Sequence, residues 1–126
     1  MAVILVVDDN TDNRLVYCTF LEHFGHTCVQ AENGQIALSL ARDVAPDLII
    51  MDLQMPVMDG FQTLEALRLS DSTTRIPVIA LTAHLPATDE IRVREAGFAE
   101  YLRKPMPPRE VAALVESILA QTPTGH

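Results

Sequence analysis

Val3-Ile-Leu-Val-Val7 is an unbroken apolar run, mostly β-branched, that ends on two aspartates. A run so short predicts a strand buried on both faces. Leu15, Cys18, Leu21 and Phe24 follow at steps of three and predict one helical stripe, with Gly25 where a C-terminal cap belongs. Residues 27–30 predict a short second strand. Asn33 can cap a second helix whose stripe is Ile36, Leu40 and Val44, and Pro46 stands just past its end. Residues 48–51 are another apolar run, and it too stops at an aspartate, Asp52. Phe61, Leu64 and Leu67 mark a third helix. Residues 76–81 predict a fourth strand, in which Pro77 is tolerable only near the first residue or on the side lacking a ladder bond. Residues 86–95 predict a more polar helix closed by Gly97, and 98–102 a fifth strand. Val111, Leu114, Val115 and Ile118 give the clearest helical stripe, and Pro107 or Pro108 suits its first turn.

Strand and helix thus alternate five times. That alternation implies an α/β domain, a parallel sheet with helices on both faces and right-handed crossovers. In an open sheet of this kind, ligands bind beyond the carboxyl ends of the strands. The length of 126 residues suits one domain. It is expected over 1–120, with 121–126 as a frayed, disordered tail, because Thr-Pro-Thr-Gly cannot continue a helix.

Composition narrows the function classes. Hydrophobic residues make up 48% and charged residues 21%, the profile of a globular protein rather than a disordered one. Seventeen acids against nine Lys and Arg leave a formal charge of -8, which argues against a nucleic-acid-binding face. No apolar run approaches the ~20 residues of a membrane span. The opening Met1-Ala2-Val3 lacks the basic region of a signal peptide, so a cytoplasmic location is expected. Cys18 and Cys28 are the only cysteines, without metal-ligand spacing, and are read as reduced apolar fillers.

The remaining polar residues gather at one place. Asp8 and Asp9 follow the first strand, Asp52 the third, Thr82 the fourth and Lys104 the fifth, so all five project from the same sheet edge. If the first and third strands are neighbours, three carboxylates converge there. Each residue alone has an ordinary use: an acid pair as a helix cap, Asp52 in a turn, Lys-Pro in a loop. Together they are hard to explain that way. Two carboxylates about 4 Å apart repel by about 4 kcal/mol at an effective dielectric of 20, and a hard cation such as Mg²⁺ relieves that. Lys104 is moreover the only lysine, the other eight cations being arginines. A cation, a carboxylate nucleophile, a hydroxyl and an ammonium group are what phosphoryl transfer to an aspartate needs.

In these motifs the chain resembles a response-regulator receiver domain, the phospho-accepting module of two-component signalling. Val6-Val-Asp-Asp-Asn10 matches the family's acidic pair. Asp52-Leu-Gln-Met-Pro56 with Asp59-Gly60 matches the segment around the phospho-acceptor. Ala80-Leu-Thr-Ala83 matches the hydroxyl segment, and Tyr101-Leu-Arg-Lys-Pro105 the lysine segment with its aromatic switch position. The resemblance implies a flavodoxin-like (βα)5 sandwich with strand order 2-1-3-4-5. It implies that Asp52 accepts a phosphoryl group from the phosphohistidine of a histidine kinase or histidine phosphotransfer protein. Asp9 and Asp52, with the carbonyl of Gln54, would hold Mg²⁺ or Mn²⁺, and Asp8 would do so through water. Thr82 and Lys104 would bind the phosphoryl group. Movement of Thr82 would let Tyr101 turn inward and repack the face of the fourth helix, fifth strand and fifth helix toward a downstream protein target or a phosphorylation-dependent dimer. Gln54 and His84 occupy the positions that tune phosphate lifetime. The first helix would meet the kinase, with Asn13, Arg14, Val16 and Tyr17 on its outer side. The chain would then be a stand-alone regulator or a receiver excised from a longer regulator or hybrid kinase, and not a conventional enzyme.

Two other classes share parts of this pattern. A haloacid-dehalogenase-type phosphatase also uses a nucleophilic Asp and Mg²⁺, but wants a second acid two residues on, where this chain has Gln54 after Asp52 and Asn10 after Asp8. A flavodoxin-like carrier needs a hydroxyl-rich phosphate loop after the first strand, where two acids stand instead.

Overall fold

In the computed structural model, residues 2–53, 55, 57–82, 87–103 and 107–121 are described. The apolar runs become five strands: β1 (Val3–Val7), β2 (Thr27–Ala31), β3 (Leu48–Asp52), β4 (Val78–Thr82) and β5 (Glu100–Arg103). Five helices alternate with them: α1 (Thr11–His23), α2 (Gly34–Val44), α3 (Gly60–Arg68), α4 (Ala87–Ala96) and α5 (Pro108–Gln121). The strands are all parallel, in the order β2-β1-β3-β4-β5.

Strand alternation divides the core into two layers. Leu5, Val7, Ile49, Met51, Val78 and Ala80 face Ala37 and Ala41 of α2, Leu64 and Leu67 of α3 and Val93 of α4. Ile4, Val6, Leu48, Ile50, Ile79 and Leu81 face Tyr17, Cys18 and Leu21 of α1 and Val111, Ala112, Val115 and Ile118 of α5. All of β3 is buried, as a central strand covered on both sides must be. Burial of each large aliphatic side chain there is worth ~1.5–3 kcal/mol. Cys18 and Cys28 are free thiols in the second layer. The neighbouring Cys18 and burial push the Cys28 thiol up from its ordinary range.

Two helices turn different faces inward from those expected. On α1 the buried residues are Arg14, Tyr17, Cys18 and Leu21, whereas Leu15 is 49% and Phe24 50% exposed. Steps of three lag the ~3.6-residue turn, so Leu15 and Phe24 end on opposite sides of the helix. On α2 the buried face is Gly34, Ala37 and Ala41, while Ile36 and Val44 are exposed. The helix lies too close to α3 for large side chains: a Cβ at Gly34 would collide with Thr63 Oγ1. The other differences are at element ends. Pro77 stands just before β4, where its carbonyl accepts the Ile49 N–H at 3.0 Å. β5 begins at Glu100 because Phe98 turns into the core against Phe61. Asn33 caps α2 as expected, its side chain accepting the Ile36 N–H at 2.9 Å. α5 continues through Gln121, and the rest of the expected tail lies outside the described residues.

Helix α2 ends on a non-glycine residue in the left-handed region, Ala45 at φ 51 and ψ 63. The strain of an L-residue there exceeds the extra chain entropy that glycine brings to the unfolded state. Ala45→Gly is expected to raise stability by about 0.5 kcal/mol, read as a higher urea midpoint.

Candidate functional site

Register brings the acids together. Val7 of β1 is level with Met51 of β3, so Asp8 and Asp52 emerge side by side at the carboxyl edge of adjacent central strands. One carboxylate oxygen from each of Asp8, Asp9 and Asp52 lies within 4.8 Å of the others. Asp8 is 2% and Asp52 6% exposed, while Asp9 faces solvent. Three anions so close, two of them desolvated, form a costly arrangement that calls for positive charge.

Local chemistry holds the first acid in place. Asn10 caps α1 by accepting the Asn13 N–H at 3.0 Å, so the Asp8–Asp9 pair is not spent as the cap. Asp8 Oδ1 accepts the Asn10 N–H at 2.9 Å, and the Asp8 N–H donates to the Ala31 carbonyl at 3.1 Å. Asp52 ends β3, and the loop that follows is tied back to it. The Gly60 N–H donates to the Leu53 carbonyl at 3.1 Å. Asp59 caps α3 in a reciprocal box with Gln62, at 2.8 and 3.0 Å. Val57 in this loop has φ 71, a strained state for a β-branched residue.

Thr82 closes β4, fully buried, and is level with Arg103 of β5. Ala80 is level with Tyr101, so by alternation Thr82 and Tyr101 share one face of the sheet. Tyr101 is half-buried against the first core layer, with the Arg94 guanidinium 5.3 Å from its ring centre. Arg94 also pairs with Glu100 at 3.9 Å. Lys104, Gln54 and His84, the other residues expected here, lie outside the described residues.

The outer side of α1 needs correction. Arg14 and Tyr17, expected on it with Asn13 and Val16, are 9% and 6% exposed. The exposed apolar residues are Leu15 and Val16, at 49% each. Gly60 has no role of its own in the sequence pattern, although its place at the start of α3, close to the Asp52 and Leu53 backbone, marks a close approach.

The donor set fits a cation. Three carboxylates are hard oxygen ligands of the kind Mg²⁺ and Mn²⁺ take, and among the described residues this is the only cluster of its type. No helix among the described residues is long and apolar enough to cross a membrane.

Comparison with known proteins agrees with this geometry. The chain is 40% identical over 115 residues to the sensor histidine kinase GacS of Pseudomonas protegens, a match covering 89% of this chain and 12% of that protein. The chain thus spans about an eighth of that kinase. It is 36% identical to PilH of Pseudomonas aeruginosa over 95% of this chain and 99% of that one. Among solved structures, the receiver domain of the P. aeruginosa sensor histidine kinase PA1611, which has magnesium in its active-site cleft, superposes with a TM-score of 0.86. The identity is 30%, and 94% of this chain and 98% of that one are covered. The model of the response regulator receiver domain matches residues 4–116. With its strand order, its cluster of three acids and this match over nearly its whole length, the chain belongs to the response regulator receiver domain family.

Proposed function

We propose that this chain is a phospho-accepting switch in which Asp52 takes a phosphoryl group from a phosphohistidine on a histidine kinase or phosphotransfer protein. The observation that carries the reading is the convergence of Asp8, Asp9 and Asp52 at the carboxyl edge of β1 and β3. A carboxylate oxygen of Asp52 attacks phosphorus, the P–N bond breaks, and the imidazole leaves with its electron pair. Asp8, Asp9 and Asp52, with the Gln54 carbonyl, would hold Mg²⁺ or Mn²⁺. That ion would draw off negative charge from the phosphoryl oxygens. The Thr82 hydroxyl and the Lys104 ammonium bind the phosphoryl group, and Gln54 and His84 tune its lifetime.

Thr82 and Tyr101 share a sheet face, so the hydroxyl and the ring respond to the same space. A shift of Thr82 toward phosphate repacks Tyr101 and the face of α4, β5 and α5, which then selects a downstream protein or a second copy of the chain. The domain is assigned to 1–120, acting in the cytoplasm, alone or within a longer regulator or hybrid kinase.

The test is direct. Incubated with acetyl phosphate and Mg²⁺, the protein is expected to gain the mass of one phosphoryl group, and a chelator is expected to prevent the gain. No uptake with the metal present overturns the reading.

A further inference from the structure

We propose that Arg14 is a positioning residue for the acid pair, clamping the peptide between Asp8 and Asp9 so that both carboxylates face Asp52. Arg14 is the charged residue least expected where it is found: on the buried face of α1, 9% exposed, among Tyr17, Cys18 and Leu21. Burying a guanidinium is costly unless its donors are used. Each arm reaches a different element. Nη1 donates to the Asp8 carbonyl at 2.5 Å, Nη2 to Thr11 Oγ1 at 3.2 Å and Nε to Gln30 Oε1 at 3.2 Å. The planar fork therefore joins the end of β1, the first turn of α1 and β2.

The first of these bonds is the consequential one. The Asp8 carbonyl belongs to the peptide that links Asp8 to Asp9, and a peptide is a rigid plane. Fixing its oxygen fixes the direction in which the next residue leaves. Asp8 is then held at both ends, its carbonyl by Arg14 and its Oδ1 by the Asn10 N–H. Asp9, which faces solvent, takes the position of its backbone N and Cα from that plane. The cluster is thus shaped by a cation outside it, as ligands of a metal site are oriented by their outer partners.

The proposal rests on the reading of Asp8, Asp9 and Asp52 as a cation site. Calorimetric titration with Mg²⁺ and the Mg²⁺ dependence of phosphoryl uptake from acetyl phosphate test it separately from that reading. Arg14→Met, which keeps much of the aliphatic bulk, is expected to weaken Mg²⁺ binding about tenfold and to raise the half-saturating Mg²⁺ for uptake to match. The uptake rate at saturating Mg²⁺ is expected to stay near wild type. Arg14→Lys, which can still donate to the Asp8 carbonyl but cannot span three acceptors, is expected to fall between. Gln30→Met, which removes only the distant acceptor, is expected to lower the melting temperature and leave Mg²⁺ affinity unchanged.

A merely structural Arg14 gives a different result: melting temperatures fall and Mg²⁺ affinity does not move in Arg14→Met or Arg14→Lys. That overturns the proposal. Should Arg14→Met fail to fold, Arg14→Lys decides it by the same readout. If the wild type binds Mg²⁺ but takes up no phosphoryl group, the proposed function fails and the calorimetry still judges Arg14. If the wild type binds no Mg²⁺, both fall.

Discussion

Asp52→Asn is expected to take up no phosphoryl group from acetyl phosphate, and to be the more stable protein when Mg²⁺ is chelated. The first effect follows because an amide is not a nucleophile at this site, and no other described acid occupies the end of β3. The second follows from charge. Asp52 is 6% exposed, and its carboxylate lies within 4.8 Å of those of Asp8 and Asp9. At a separation of about 4 Å the buried Asp8–Asp52 pair repels by about 4 kcal/mol at an effective dielectric of 20, and the solvent-screened Asp9 adds less. Part of that is offset by the other partners of Asp8 and Asp52. A net gain of roughly 1–2 kcal/mol remains, of the kind seen when a functional site is relieved of its strain. Millimolar Mg²⁺ is expected to raise the melting temperature of the wild type and to move that of Asp52→Asn far less. Full uptake by the variant would place the acceptor elsewhere. No gain in chelator would mean that the acids do not repel as described.

The sequence made the order of elements legible because parallel, two-sided strands read as short continuous apolar runs. β1 has no polar residue, and is followed by Asp8, and β3 has none before its terminal Asp52. Strand neighbours were a different matter. Nothing in the periodicity says that β1 lies between β2 and β3, and the order came with the family resemblance. Helix faces were legible only where large aliphatics mark them, as on α5, where Val111, Val115 and Ile118 are buried. On α2 the inner face is Gly and Ala, chosen for close approach rather than hydrophobicity, and the larger Ile36 points outward.

The site divides along the same line. The acids and Thr82 are legible because they gather at strand ends on one sheet edge, although each alone has an ordinary use, and Tyr101 is named only by the family resemblance. Arg14 does not, since an arginine on a helix reads as a solvated charge. Only the fold shows that its three donors find a carbonyl, a hydroxyl and an amide oxygen on separate elements. Gly60 is hidden for the opposite reason. Asp59-Gly60 belongs to the segment that the resemblance matches, yet the importance of the glycine lies in an atom it lacks.

Gly60→Ala is therefore expected to lower stability by about 1–2 kcal/mol and phosphoryl uptake by tenfold or more. A Cβ at Gly60 would sit 2.9 Å from both the Asp52 carbonyl oxygen and Leu53 Cα. Those are backbone atoms, which cannot swing aside as a side-chain end can. Overpacking of this kind costs typically ~1–3 kcal/mol, against at most ~1 kcal/mol regained from the better helix propensity of alanine. The relief comes from moving the start of α3 or the end of β3, which carries the proposed acceptor Asp52. Displacing a reacting group by about 1 Å can cost ~10²-fold in rate, so a shift of a few tenths of that is already felt. Gly25→Ala supplies the contrast. Gly25 has φ +91, and a Cβ there would meet nothing within 4 Å, so alanine strains the backbone without touching β3. It is expected to lose about 1 kcal/mol and to keep the wild-type uptake rate. Urea midpoints and uptake time courses on the two variants separate the effects. If Gly60→Ala accepts phosphoryl as fast as Gly25→Ala, the α3 start does not control where Asp52 stands.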